Sequence, residues 1–274
     1  MNNQYLVFTD MDGTLLDHHT YSHEPAKKML KALQLRKIPV IPNTSKTFDE
    51  MTELVAKLDI NGPFIVENGA AIHIPKNFLS QKPMNTQWQN NYWVRQFTSK
   101  KSHWLNLLQQ LEPEFSGQFT SFSNMTLAEI SSATGLTMEQ AKKAANRQYG
   151  EPVLWLGNPE NKQQFITAIQ SKGATVQIGG RFIHISGDCN KGTALSWLCS
   201  EFRRQYPKMQ CISIALGDGQ NDVAMLEAAD IAVRIKSPSN EYPLLNRSDN
   251  IIDSIAEGPL GWSDSLAQIL NIAL

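Results

Sequence analysis

The chain has 274 residues, enough for a core domain and a smaller second unit. Lys and Arg number 25 against 26 Asp and Glu, so the net charge of −1 gives no electrostatic reason to expect a nucleic acid or a membrane as partner. The three cysteines include no CxxC pair and give no sign of a disulfide framework or a structural zinc site. Because the sequence shows neither a basic leader nor a run of roughly 18 apolar residues, we expect a cytoplasmic protein.

The first part of the chain alternates between strand and helix patterns. Apolar, β-forming runs predict strands at 5–9, 38–41 and 64–66. Apolar stripes with helical spacing predict one helix from Ser22, taken as its N-cap, and a second helix at 47–58. This order is typical of parallel sheets with right-handed crossovers. We therefore predict an α/β fold with a doubly wound, Rossmann-like parallel-sheet core.

The alternation lapses after Ile74, where polar residues, Trp and Pro interrupt it. The segment that follows mixes helical patterns with short strand patterns, which indicates an inserted α+β unit. We place the first part of the core domain at 1–82, the insertion at 83–186 and the second part of the core at 187–274. In this last part the predicted elements are a helix at 191–205, a strand at 211–216, a helix at 222–228 and a strand at 231–233.

Two carboxylates follow the first predicted strand directly. Asp10 and Asp12, with Gly13 to permit a tight turn, lie where open α/β sheets bind their ligands. Two acids one residue apart can divide the work of phosphoryl transfer, because one can attack phosphorus while the other gives and takes protons. An ordinary acidic turn is the alternative. A calcium loop is disfavoured, since the further Asp or Asn and the distant Glu are missing.

A second acidic segment follows the strand predicted at 211–216. It contains Asp218 and Asp222 among glycines. Mg²⁺ typically takes one or two carboxylates, and Asp10 with Asp218 would provide such a pair. Asp222 precedes a helical pattern, so capping of that helix and support of a metal site are equal alternatives for it.

In combination these motifs resemble those of the haloacid dehalogenase superfamily of phosphohydrolases, in particular its Cof-like branch, over nearly the whole chain. The resemblance implies that Asp10 is the nucleophile that becomes aspartyl phosphate and that Asp12 is the general acid and base. It also implies a Mg²⁺ site made by the carboxylates of Asp10 and Asp218 and the backbone carbonyl of Asp12. Asp222 is assigned to the same metal site. The insertion would be an α/β cap that selects the substrate.

The same resemblance assigns roles to Thr44 and Lys191. The hydroxyl of Thr44 would hold a phosphate oxygen, and Lys191 would neutralise the phosphate and the attacking carboxylate. Without the resemblance, a Thr-Ser pair before a helix is most simply an N-cap. A lone lysine at the start of a helix is normally solvated.

A narrower resemblance concerns the segments 43–47, 67–70 and 257–262. Together they look like the mannosyl-3-phosphoglycerate phosphatase group, which implies hydrolysis of mannosyl-3-phosphoglycerate to mannosylglycerate and phosphate. The glucosyl analogue or another sugar phosphate stays open as the substrate. The residues expected to contact the substrate lie in predicted loops and turns, where solvated side chains are the alternative: Ser45, Lys46, Glu67, Asn68, Arg181 and Asn221.

Two other functions stay open on the sequence. A sugar phosphomutase would return the phosphoryl group to a sugar hydroxyl instead of to water, and a regulatory protein would bind sugar phosphates without turnover. The expected partner is in every case a small-molecule sugar phosphate or glycosyl phosphoglycerate, with no nucleic acid and no membrane. The sequence predicts no oligomeric state.

Overall fold

The computed structural model describes residues 2–179 and 181–273. By backbone contacts the chain forms two compact units. The first unit contains Met1–Ser45, Val55–Arg95 and Asn190–Leu274, and the second contains Lys46–Leu54 and Gln96–Cys189. The domain boundaries expected from the sequence stay a prediction.

A five-stranded parallel sheet forms the centre of the first unit. In order across the sheet its strands are β13 (Ile251–Glu257), β12 (Ile231–Lys236), β11 (Met209–Gly217), β1 (Asn2–Thr9) and β2 (Val40–Pro42). Each pairing is parallel, and β1 runs beside β11 from the pair Asn2 and Met209 to the pair Thr9 and Leu216. The predicted α/β fold with a parallel core is confirmed, and its strand β1 lies between two neighbours.

The strands of this sheet are apolar and are buried beneath helices. Leu6, Val7 and Phe8 of β1 are fully buried in succession, as expected for a strand covered on both faces. Helices supply the covering layers through apolar stripes such as Met29 and Leu33. The helices of the chain outside the stretch 96–189 are α1 (Lys27–Leu35), α2 (Phe48–Lys57), α7 (Lys191–Gln205), α8 (Val223–Ala228) and α9 (Gly258–Leu270).

A second sheet continues from the parallel one. Its order is β3 (Phe64–Val66), β4 (Ala71–Pro75), β6 (Tyr92–Gln96) and β5 (Gln87–Gln89), and a parallel bridge between Asn43 and Ile65 links it to the end of β2. The β3–β4 and β5–β6 pairs are antiparallel. β4 and β5 are not predicted by the sequence pattern. β5 is a short edge strand whose side chains are mostly exposed, so it lacks the apolar alternation that marks a strand.

The second unit is a mixed α and β structure. Its sheet has the order β7 (Phe119–Ser121), β8 (Glu151–Trp155), β10 (Phe182–Ser186) and β9 (Thr175–Gly179), with antiparallel pairs throughout. The core centres on Phe165 with Trp104 and Ile183. The helices are α3 (Lys101–Leu111), α4 (Leu127–Thr134), α5 (Met138–Ala145) and α6 (Pro159–Ser171).

Helix starts follow local sequence signals. Thr126 with Glu129 and Thr137 with Gln140 form capping boxes at α4 and α5. The cap position lies one residue after the expected Ser22, at His23, because a short 3₁₀ turn at Glu24–Ala26 precedes α1; Ser22 Oγ still accepts a hydrogen bond from Glu24 N at 3.2 Å. Within the described ranges, every helix is too short or too polar to cross a bilayer.

A buried histidine, His73 on β4, makes the stability of the first unit depend on pH. Its side chain is 2% exposed and its ring stacks on Phe64 with the ring centroids 5.1 Å apart. Burial lowers the pKa of His73 to about 3 from the ordinary 6.5. Since the unfolded chain takes up a proton near pH 6.5 and the folded chain does not, the folded state loses stability as the pH falls below 6.5.

We expect His73 to reduce the free energy of unfolding by about 2 kcal/mol between pH 7.5 and pH 5. Urea unfolding at both pH values measures this loss, and His73→Phe, which keeps the ring stack, should remove it. His18→Gln, at an exposed histidine, is the control and should retain the loss. An equally steep pH dependence in His73→Phe would contradict the assignment.

Candidate active site

The candidate site gathers side chains from strand ends and one helix start. Asp10 follows β1, Asp218 follows β11, Thr44 follows β2 and Lys191 is the first residue of α7. Backbone hydrogen bonds continue past the strands, from Asp10 N to Leu216 O at 2.9 Å. Because adjacent parallel strands end at the same edge of a sheet, residues far apart in sequence meet there.

Lys191 lies at the centre of this site. Its side chain is fully buried, and Nζ donates to Asp10 Oδ1 at 2.6 Å and to Asp222 Oδ1 at 2.7 Å. Burial by itself would lower the pKa of the ammonium group, but the two carboxylates outweigh burial and the pKa of Lys191 is raised. Lys191 is therefore a charged, buried ion-pair partner and not a solvated helix-start residue.

The carboxylate of Asp222 braces the loop that carries Asp218. Asp222 is fully buried, and its Oδ2 accepts hydrogen bonds from the backbone N–H groups of Asp218 at 3.1 Å and Gly219 at 3.0 Å. Asp222 occupies the N-cap position of α8, as predicted, but its carboxylate bonds the backbone of the preceding turn and makes no side-chain cap to α8. Burial raises the pKa of Asp222, while the Lys191 ammonium opposes that shift. Its part in metal binding stays a prediction.

Asp218 is held by a threonine that carries no functional signal in the sequence. The buried Thr14 donates from Oγ1 to Asp218 Oδ1 at 2.9 Å. Burial raises the pKa of Asp218 to about 6, and the negative charge of Asp10 adds to the shift. Gly13 has φ +78°, and a Cβ there would lie 2.6 Å from Asp218 Oδ2, so the tight turn and the close approach both require glycine.

The three carboxylates fit a hard divalent cation. One oxygen from each of Asp10, Asp218 and Asp222 can be chosen so that all three lie within 4.8 Å of one another, and all three residues are buried. In their ionised forms they carry three negative charges against the single positive charge of Lys191. Buried carboxylates need compensating charge, and oxygen donors are those that Mg²⁺ and Ca²⁺ prefer. The site can therefore hold such an ion.

The segment after β2 positions Thr44 without using it as a helix cap. Thr44 is 1% exposed, and the cap of α2 comes from Thr47, which receives a hydrogen bond from Glu50 N at 3.3 Å and donates its own N–H to Glu50 Oε2 at 2.8 Å. The buried Asn43 donates from Nδ2 to the backbone oxygen of Lys191 at 2.9 Å. Asn43 thus ties the end of β2 to the start of α7, and the phosphate-binding role of Thr44 stays a prediction.

Glu67 and Asn68 lie in a strained turn next to the start of α7. Their φ angles are +50° and +58°, and Gly69 follows at +91°. A Cβ on Gly69 would lie 2.1 Å from the backbone oxygen of Asn190, so only glycine permits this approach. Asn221 Nδ2 lies 3.4 Å from Asn68 Oδ1. Strain of this kind clusters at functional sites, which favours the predicted substrate-binding role of this turn.

The other predicted site residues are distributed over both units. Asp12 is half-buried in the turn after Asp10, and Ser45 is exposed. Lys46, half-buried, and Arg181, exposed, belong to the second unit. There Arg181 Nη1 donates to Ala133 O at 3.3 Å, at the end of α4. Their roles stay predictions.

Two further residues support the backbone of Asp10. Thr9 donates from Oγ1 to Asp10 O at 2.7 Å and accepts a hydrogen bond from Trp262 Nε1 at 3.0 Å. Trp262 is fully buried in α9. This contact is not predictable from local sequence, because the Thr and the Trp are 253 residues apart.

We expect Thr14→Val to weaken binding of a divalent cation several-fold. The substitution keeps the shape of the side chain but removes a donor to the charged form of Asp218, which raises the pKa of that carboxyl further. Calorimetric titration with MgCl₂ measures the affinity. Thr167→Val, which removes an exposed hydroxyl on α6, is the control, and equal affinities in the two variants would contradict the role of Thr14.

Comparisons with known proteins give a family match and two relatives. The model of a family described as haloacid dehalogenase-like hydrolases matches residues 7–261. A glucosyl-3-phosphoglycerate/mannosyl-3-phosphoglycerate phosphatase of Methanococcoides burtonii is 33% identical over 268 residues, which is 98% of each chain. A protein of the same name from Persephonella marina is 30% identical over 267 residues, 97% of each chain.

The fold is also found among solved structures. A phosphatase of the haloalkanoate enzyme superfamily from Bacteroides thetaiotaomicron superposes with a TM-score of 0.68 over 98% of this chain and 96% of its own, at 18% sequence identity. This likeness concerns the arrangement of the backbone.

Proposed function

This chain belongs to the haloacid dehalogenase-like hydrolase family, and from that premise we propose that it is a Mg²⁺-dependent phosphatase of mannosyl-3-phosphoglycerate. The observation that carries the proposal is the buried ammonium of Lys191, which lies 2.6 Å from Asp10 and 2.7 Å from Asp222. Such a group places positive charge where a phosphate and an attacking carboxylate would otherwise repel each other. The two curated relatives, both named as glycosyl-3-phosphoglycerate phosphatases, support the choice of substrate.

Asp10 is the nucleophile in this proposal. Lys191 fixes one of its carboxylate oxygens, and Thr9 with Trp262 fixes its backbone oxygen. An oxygen of Asp10 attacks phosphorus, the bond from phosphorus to the ester oxygen breaks, and an aspartyl phosphate forms. Lys191 and the hydroxyl of Thr44 stabilise the charge on the phosphoryl oxygens.

Asp12 transfers the protons. In its acid form it protonates the leaving oxygen of the glycerate, and the resulting carboxylate then accepts a proton from the water that hydrolyses the aspartyl phosphate. The products are the free alcohol and inorganic phosphate, and both acids return to their starting forms.

Mg²⁺ would be held by Asp10, Asp218 and the backbone carbonyl of Asp12, with Asp222 as a further ligand or as support for Asp218. When bound, it supplies positive charge that offsets the negative charge of the phosphate ester and of the buried carboxylates. The choice of Mg²⁺ rests on the hard oxygen donor set and on the family.

Glucosyl-3-phosphoglycerate is the second candidate substrate. The names of both relatives include the glucosyl and the mannosyl substrate, so neither sugar is favoured by them. In the proposal Glu67, Asn68, Asn221, Ser45, Lys46 and Arg181 contact the substrate. The strained turn at Glu67 and Asn68 supports this for two of them.

We expect Asp10→Asn to reduce phosphate release by more than about 10³-fold, because the amide is a poor nucleophile. Phosphate release with MgCl₂ is measured beside the melting temperature, which should show that the variant is folded. Asp264→Asn, at an exposed position on α9, is the matched control and should keep wild-type turnover. Turnover of Asp10→Asn at the wild-type level would refute the nucleophile assignment.

A substrate panel tests the specificity. We expect the highest kcat/KM with mannosyl-3-phosphoglycerate, comparable or lower values with the glucosyl analogue, and values at least about tenfold lower with 3-phosphoglycerate or hexose phosphates, which lack part of the ligand. Product analysis by NMR separates hydrolysis from a mutase reaction, which would give an isomerised sugar phosphate without free phosphate. A preference for hexose phosphates would discard the proposed substrate.

A further inference from the structure

A cavity of about 580 Å³ lies in the first unit, at the amino-terminal ends of the parallel strands. Gln4 of β1, Val40 of β2 and Met209 of β11 line it. The carboxylate site is at the other end of the same strands, since Asp10 lies six residues beyond Gln4, or roughly 20 Å along an extended strand. The cavity is therefore separate from the candidate active site.

The floor of this cavity is apolar. Its volume lies within the roughly 300–1,000 Å³ of small-molecule sites, which are typically apolar with a few polar groups at defined positions. Side chains from α1, from the segments around β2 and β3, and from α7 meet there. Those that form the floor are Leu30, Ile38, Leu58, Ile60, Phe78 and Phe202.

The rim of the cavity is basic. Four lysines line it, and Asp59 is the only acidic residue of the described lining. Lys27 also forms an ion pair with Glu24 at 2.5 Å. Even with both acids counted, two positive charges remain, whereas the whole chain has a net charge of −1. The four lysines are Lys27, Lys31, Lys37 and Lys57.

Several residues that line the cavity share one face of α1. Lys27, Leu30, Lys31 and Gln34 share one face of α1, and all four line the cavity. Like charges four residues apart disfavour a helix, and a lysine in the first turn opposes the helix dipole. Lys27 pairs with Glu24 and Lys31 Nζ donates to Gln34 Oε1 at 2.9 Å, so each lysine has one local partner, and its ammonium group keeps further donors for an anion on this face.

His23 lies close to two of these lysines. His23 also lines the cavity. Burial lowers the pKa of His23, and the charges of Lys27 and Lys57 lower it further, while Glu24 opposes the shift. Lysines of two different helices, α1 and α2, therefore act on one point of the rim.

We propose that this cavity binds a small amphipathic anion. The apolar body of the ligand lies on the floor, and its carboxylate, phosphate or sulfonate group lies among Lys27, Lys31 and Lys57. A compact, concave site with an excess of basic side chains over an apolar floor matches this class of ligand.

The probe for the test is 8-anilinonaphthalene-1-sulfonate, and its neutral counterpart is N-phenyl-1-naphthylamine, which lacks the sulfonate. Both are titrated by fluorescence into the full chain in the presence of MgCl₂ and excess inorganic phosphate. The charge variant is the triple substitution Lys27→Gln, Lys31→Gln and Lys57→Gln. Lys28→Gln is the matched control, because Lys28 is exposed on α1 and lies outside the cavity lining.

We expect the triple variant to bind the sulfonate probe at least tenfold more weakly, Lys28→Gln to change its Kd less than twofold, and the neutral probe to be unaffected by either. Phe78→Ala, in the floor, should weaken both probes. Phosphate release and melting temperature should match the wild type in all charge variants, which shows that they are folded. Equal affinity of the sulfonate probe for the wild type and the triple variant, or no binding to the wild type, would overturn the proposal.

Discussion

The candidate site depends on the ion pairs of one buried ammonium group. Lys191 is fully buried and shared by Asp10 and Asp222, so removing its ammonium group would leave two buried carboxylates without their positive partner. The ion pair also positions the neighbouring loop, because the second carboxylate oxygen of Asp222 accepts hydrogen bonds from the backbone N–H groups of Asp218 and Gly219. One side chain thus connects the end of β1, the loop after β11 and the start of α7.

The backbone around this centre is correspondingly crowded. The side chain of Asn43 donates a hydrogen bond to the backbone carbonyl of Lys191. Gly69 allows the turn of Glu67 and Asn68 to approach the backbone of Asn190 closely. Crowding of this kind fixes side chains before a substrate arrives, so little reorganisation is needed during reaction. Glu67 and Asn68 have positive φ angles, which non-glycine residues disfavour, so the packing around the site outweighs the local preference of the backbone.

Much of this could be predicted from the sequence, and the reasons for the failures are physical. The strand at Phe64–Val66 and the helix at Lys191–Gln205 were predicted with the bounds observed, because apolar periodicity is a local signal. β13 and α9 were not predicted, since the exposed Ile255 and the mixed side chains of Ile251–Glu257 blur the strand pattern. Asp10 and Asp218 could be found from motifs at strand ends, whereas the role of Lys191 came from the family resemblance. The contacts of Thr14, Asn43 and Trp262 join residues far apart in the chain. The resemblance marked the segments 43–47 and 257–262, but a single sequence does not show which contacts their side chains make.

The pairing of β1 with β11 also has a consequence for synthesis on the ribosome. Thr14 and its partner Asp218 are 204 residues apart, so at about 5–20 residues per second the second strand follows the first by roughly 10–40 s. During that interval β2 can pair with one edge of β1, while the backbone of its other edge has no native partner and the apolar side chains of Leu6, Val7 and Phe8 on its faces are not yet covered by the complete sheet. Unpaired apolar edges promote association between chains. The nascent protein therefore has a period of vulnerability to aggregation that ends only when β11 emerges.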